Sequence, residues 1–178
     1  MKKITKIILT AISIAIIAIG LVFWSNLNEL DATKPCAFCD PVVLQTHTFY
    51  EDNLMRCLCT YKPVGPGHCL VIPKRHIERF EQLSDEEILA MGRLIKRINA
   101  AIQKINGPSS YFIWQKNGRE VGQSVPHVHM HYIPKKVSEN KLAAYGLLWN
   151  FLISSFKSPT PQAQLAKQVK VMHEALKN

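Results

Sequence analysis

Between Ser84 and Gly107 the chain places Ile88, Met91, Ile95, Ile98, Ile102 and Ile105 at steps of three or four residues, the spacing of one apolar face of an α-helix. Ser84 heads this run with Glu87 three residues on, a capping box, and Gly107-Pro108 ends it. An apolar stripe of that length is stable in water only when something covers it, and the flanking segments supply the cover. Residues 42–50, 54–60 and 69–73 are short β-rich runs, broken by Asp52-Asn53 and by Pro63-Val64-Gly65-Pro66-Gly67, which predicts a hairpin followed by a third strand. Residues 111–115 and 128–134 predict two more. Strands with one interposed helix point to an α+β fold, an antiparallel sheet of about five strands under one main covering helix.

Composition decides what that sheet does not serve. The chain has 178 residues, 47% hydrophobic and 20% charged, which fits one modest domain with attachments. Eight Gly, ten Pro and no internal repeat exclude collagen-like, solenoid and low-complexity architectures. The formal net charge is +9, but Lys2, Lys3 and Lys6 and the seven lysines of residues 135–178, set against Glu139 and Glu174, carry nearly all of it. A groove for a phosphate backbone needs its charge on the folded core, so nucleic-acid binding is not expected as the main role.

From Ile7 to Trp24 there is no charge, and with Ile4 and Thr5 before it the run is just long enough to cross a hydrocarbon core of ~30 Å. It reads as a transmembrane anchor through residues 4–24, with Trp24 at the interface. A cleaved signal peptide is the alternative, but Leu21-Val22-Phe23-Trp24 offers no small-residue cleavage pattern; a buried core helix is another. Lysines precede the span and Glu29 and Asp31 follow it, which places the rest of the chain outside the cytoplasm, periplasmic in a bacterium, with the cytoplasmic face as the alternative. Five cysteines, an odd number, sit awkwardly in an oxidising compartment unless some are buried or metal-bound. The resulting division is an anchor at 1–25, a tether at 26–35, a domain at 36–137 and a helical extension at 138–178. Within the extension, the apolar run 142–156 is too short to span and is expected to pack. Leu165, Val169, Met172 and Leu176 form a helical stripe suited to docking on the domain, pairing with a second copy or lying on an anionic membrane.

His127-Val128-His129-Met130-His131 is the segment richest in chemistry. On a strand, alternation sends the three imidazoles to one face and Val128, Met130 and Tyr132 to the other. Imidazole serves as nucleophile, general base or metal ligand, so one alternative is a metallohydrolase in which His127, His129 and His131 jointly bind a catalytic metal. Cys36-Ala37-Phe38-Cys39 is a C-x-x-C knuckle, open to a zinc half-site, a redox pair or a disulfide. Cys57, Cys59 and Cys69 read as core residues.

Gly122-Gln123-Ser124-Val125-Pro126 followed by the three alternating histidines resembles the signature of the histidine triad (HIT) superfamily. Pro66-Gly67-His68 through Lys74-Arg75-His76 resembles that family's second block, in the same order, so the likeness covers residues 36–135. It implies that His129 attacks the α-phosphate of a nucleotide, forming a covalent nucleotidyl-histidine, with His68 and His131 donating to phosphate oxygens. Gln123, Ser124 and Asn117 match positions that line the phosphates. Where the family carries Asp or Asn for the ribose hydroxyls, this chain has Thr60, which loses a bidentate clamp. The likeness also implies a structural zinc held by Cys36, Cys39, His76 and His127, a homodimer, and greater similarity to the dinucleoside polyphosphate hydrolases than to the phosphoramidases. A nucleotide-binding module without turnover is the non-enzymatic alternative.

Overall fold

Asp40 converts half of the first expected strand into a helix. In the computed structural model, which describes residues 2–29, 35–137, 143–154 and 157–177, its carboxylate accepts from the Val42 and Val43 N–H groups at 2.7 and 3.2 Å, and Pro41 occupies the first helical position. Helix α2 therefore runs Pro41–His47, and strand β1 is only Thr48–Glu51. The β propensity of Val42 and Val43 yields to the cap that precedes them.

The remaining strands are β2, Met55–Cys59; β3, Cys69–Pro73; β4, Ser109–Trp114; and β5, Met130–Lys136. They form one antiparallel sheet in the order β1-β2-β3-β5-β4, so β4 is an edge. Helix α3, Asp85–Asn106, carries the expected capping box: the Glu87 N–H donates to Ser84 Oγ and the Ser84 N–H donates to Glu87 Oε2 at 2.8 Å. Gly107 ends it at φ 75°, where glycine alone is unstrained.

Helix α3 and the C-terminal helix α5, Gln162–Lys177, cover one face of the sheet. Met91, Leu94, Ile98 and Ile102 meet Cys57, Val71, Val128 and Tyr132 there, and Leu165, Met172 and Leu176 close the same core. The free thiols of Cys57, Cys59 and Cys69 are buried in it. The other face carries a smaller apolar cluster of Leu58, Leu70 and Ile72 under Phe38 and Leu44. The histidines stand on this second face. Gly67 packs on the α3 side: at φ 80° it lies so close to Ile102 Cδ1 and Pro134 Cγ that a Cβ would come within 2.8 and 2.9 Å of them.

Helix α1, Lys2–Glu29, contains the stretch Lys3–Leu21, long and apolar enough to cross a bilayer and with none of it buried against the domain. That exposure removes the core-helix alternative. Asp31 and the tether residues 30–34 lie outside the described residues, as do 138–142, 155–156 and 178. The apolar run expected to pack is helix α4, Ala143–Ser154, yet Tyr145 and Trp149 stand 68% and 63% exposed, so that expectation fails at these two positions.

Candidate active site

Strand β5 begins at Met130, so of the three histidines His131 alone lies in the ladder, opposite Leu70 of β3 and Trp114 of β4. His127 and His129 occupy the extended approach to it, tied by the Val128 N–H to the Ile77 carbonyl. Each imidazole is then fixed by a different partner.

His129 is buried, and its Nδ1–H donates to the His127 carbonyl at 2.7 Å. That bond sets the tautomer and leaves the Nε2 lone pair free. The Val64 N–H donates to His68 Nδ1 at 3.0 Å, so neutral His68 carries its proton on Nε2 and donates to His131 Nδ1 at 2.9 Å. His131 in turn keeps its proton on Nε2. Both nitrogens of His68 are therefore occupied, one by the Val64 N–H and the other by His131. Burial holds His68 at about 4 and His131 at about 2, and lowers His129 too, so all three stay neutral at pH 7. A lone pair at His129 and an N–H at His131 stand side by side with ring centroids 5.2 Å apart, and such a pair can act as a nucleophile and as a donor to an oxygen on which charge develops.

His127 faces elsewhere. Its Nε2–H donates to the Pro73 carbonyl at 2.9 Å, and its Nδ1 lies 3.5 Å from Cys36 Sγ and 3.7 Å from Cys39 Sγ. His76 Nδ1 is 3.4 Å from Cys39 Sγ, and the four ligand atoms all lie within 4.8 Å of one another. A tetrahedron with Zn–S of about 2.3 Å and Zn–N of about 2.0 Å has N-to-S edges of about 3.5 Å, so these spacings fit a zinc ion. The outer partners fit as well, with the Pro73 carbonyl on His127 and the Glu78 carboxylate 3.9 Å from His76 Nε2. Burial and the neighbouring Cys39 thiol push Cys36 up to about 11 in the absence of a cation. A metal is what would ionise it.

Phe38, between the two cysteines, lays its ring edge-on to both His127 and His129 at 5.9 and 5.2 Å. The knuckle thus packs directly on the triad. Among the described residues, a larger and a smaller chamber open on His129 and His131. The larger, about 610 Å³, has apolar walls that include Phe38, Val42, Val43, Leu58 and Leu70, with Pro159 and Thr160 closing it; the Thr160 N–H donates to the Tyr61 carbonyl at 2.7 Å. The smaller, about 150 Å³, is lined by Lys62, Trp114 and Lys116. Thr60 and Ser124 border both.

Two expected site residues are not brought here. Gln123 Oε1 accepts from the Gly118 N–H at 2.6 Å while its Nε2 donates to the carbonyls of Glu78 and Val125 at 2.9 and 3.0 Å, so the amide is spent on backbone groups of its own loop and of the Glu78 segment. Asn117 is exposed: its Oδ1 accepts from the Phe80 N–H and its Nδ2 donates to Glu81. Its neighbour Lys116 reaches the chamber instead. Sequence reasoning missed Lys116, Lys62 and Phe38; the position of Phe38 inside the C-x-x-C was the one available signal.

A family model described as the HIT domain matches residues 42–138. The asymmetrical bis(5'-nucleosyl)-tetraphosphatase of Schizosaccharomyces pombe is 36% identical over 100 residues, covering 54% of this chain and 55% of that protein, so this chain spans about half its length. The adenosine 5'-monophosphoramidase of the same yeast is 38% identical over 114 residues, 63% of this chain and 79% of the relative. Among solved structures, a histidine triad nucleotide-binding protein from Sulfolobus tokodaii shares the fold with TM-score 0.62 and 22% identity, over 80% of this chain and 93% of that one.

Proposed function

The chain belongs to the HIT family, and from that premise we infer that it is a nucleotide hydrolase or nucleotidyl transferase that cleaves at the α-phosphate of a nucleoside polyphosphate or phosphoramidate. The observation that carries this reading is the His129 Nδ1 bond to the His127 carbonyl, which aims a free Nε2 at the floor shared by the two chambers. The apolar chamber takes the nucleoside, with Thr60 toward the ribose hydroxyls and Ser124 beside the phosphate. Nε2 of His129 bonds to phosphorus as the leaving group departs with its electron pair, His131 Nε2–H donates to a phosphate oxygen, and water then hydrolyses the nucleotidyl-histidine. His129→Ala and His129→Asn are expected to abolish turnover of a fluorogenic adenylate and the acid-labile intermediate while the fold persists. Wild-type turnover in either variant overturns the mechanism.

Zinc at Cys36, Cys39, His76 and His127 is structural in this reading. It would hold the knuckle and Phe38 against the triad, and no bond to substrate passes through it. The metallohydrolase reading fits the geometry less well, because the nitrogen of His127 left free by its Pro73 bond turns to the thiols, away from His129 and His131. We further propose that residues 4–24 anchor the protein with its domain outside the cytoplasm. We also propose that it dimerises through the unpaired edge of β4, where Tyr111, Phe112 and Ile113 are exposed.

A further inference from the structure

The smaller chamber has a charge the larger one lacks. Lys62 and Lys116 are the charged residues of its described wall, and no acid lines it. The Lys116 ammonium sits over Gly122, where an added Cβ would come within 3.2 Å of Nζ, and 5.6 Å from the Trp114 ring centroid. Among the described residues neither lysine has a carboxylate at ion-pair distance, although six such pairs form elsewhere. Lys62, with its ammonium 5.6 Å from the Tyr61 ring centroid, and Lys116 border the same chamber as the buried His68 and His129 and the half-buried His131, which makes it a preorganised anion site.

The position of this chamber assigns the anion. With a nucleoside in the apolar chamber and its α-phosphate over His129, the smaller chamber is a second space, among the described residues, that opens on His129 and His131. The group leaving phosphorus has that space to enter. When the P–O bond of an anhydride breaks, the electron pair stays on the leaving oxygen, and a phosphate needs a cation there more than a proton. An amine leaving from a P–N bond carries no phosphate charge for the two lysines to meet.

We infer that Lys62 and Lys116 form a two-point clamp for an anionic, phosphate-bearing leaving group, and that this clamp selects nucleoside polyphosphates over phosphoramidates. The inference rests on the hydrolase reading for its substrate and on the chamber alone for its anion. The test uses the full chain in mild detergent and two substrates that share the adenylyl group, a diadenosine polyphosphate and an adenosine phosphoramidate. Lys116→Ala and Lys62→Ala are each expected to cut kcat/KM for the polyphosphate about tenfold more than for the amidate, and Lys116→Arg to restore most of the difference. Added salt reduces the polyphosphate reaction selectively. Equal losses on both substrates, or none, overturn the clamp.

Binding of inorganic tripolyphosphate, followed by tryptophan fluorescence through Trp114, separates this inference from the reading beneath it. Lysine-dependent binding without turnover of either substrate keeps the anion site and removes the hydrolase. Turnover without lysine-dependent binding removes the clamp and keeps the hydrolase.

Discussion

Replacing Gln123 tests whether the loop before the triad is held from inside or by substrate. The side chain is 5% exposed and makes its bonds to backbone groups of the 76–82 and 117–127 segments. In Gln123→Ala the Gly118 N–H, itself buried, loses its acceptor, and an unsatisfied buried donor costs about 1–3 kcal/mol. The Glu78 and Val125 carbonyls lose a shared donor but keep access to water more readily, so a total of about 2 kcal/mol is expected, with the unfilled side-chain volume pushing it upward. For a domain of about 100 residues that is a fall in Tm of about 8–16 °C. Gln123→Glu is expected to be at least as damaging, because it turns a carboxylate oxygen toward two carbonyls with no donor between them. The assay is thermal unfolding by circular dichroism of the full chain in mild detergent, paired with kcat/KM on the same samples. The loop carries Ser124 and leads into His127, so activity falls along with stability. A variant with unchanged Tm and greatly reduced kcat/KM would refute this reasoning and put the Gln123 amide on substrate.

Purified protein is expected to carry about one zinc per chain. The double variant Cys36→Ser with Cys39→Ser should lose metal and thermal stability more than activity per folded molecule; a chelator that stops turnover at once without loss of stability would favour a catalytic metal. Burial holds His68 at about 4, below its unfolded 6.5, so the folded state prefers the neutral ring. Its contribution is complete above pH 6.5, is lost as pH falls toward about 4, and at about 1.4 kcal/mol per pH unit amounts to roughly 3 kcal/mol. Urea titrations from pH 7.5 to 4 should show a shallower loss in His68→Asn than in the wild type, and parallel curves would contradict the assignment. For topology, alkaline phosphatase fused after Asn178 should be active and green fluorescent protein dark, whereas the reverse would place the domain in the cytoplasm.

Local chemistry in the sequence determined a good deal. The period of Ile88 to Ile105, the Ser84–Glu87 box and Gly107 set α3 almost to the residue, because helix caps and stripes are decided within a few positions of the chain. Alternation at 127–131 put three imidazoles together for the same reason, and the C-x-x-C proposed half of a metal site that His76 and His127 complete in space. Tertiary structure alone decided how the histidines divide their work. Whether a ring nitrogen binds, donates or attacks depends on what its other nitrogen meets, and those partners, Pro73 for His127 and His68 for His131, lie 54 and 63 residues away in sequence. The loop at 115–123 shows the limit most plainly. Asn117 and Lys116 are adjacent, and nothing in a pattern of residues tells which one a turn will aim inward; the turn at Gly118, held by the buried Gln123 amide, sends Asn117 to Phe80 and leaves Lys116 over the chamber, because hydrogen bonds across the fold set that direction and periodicity does not.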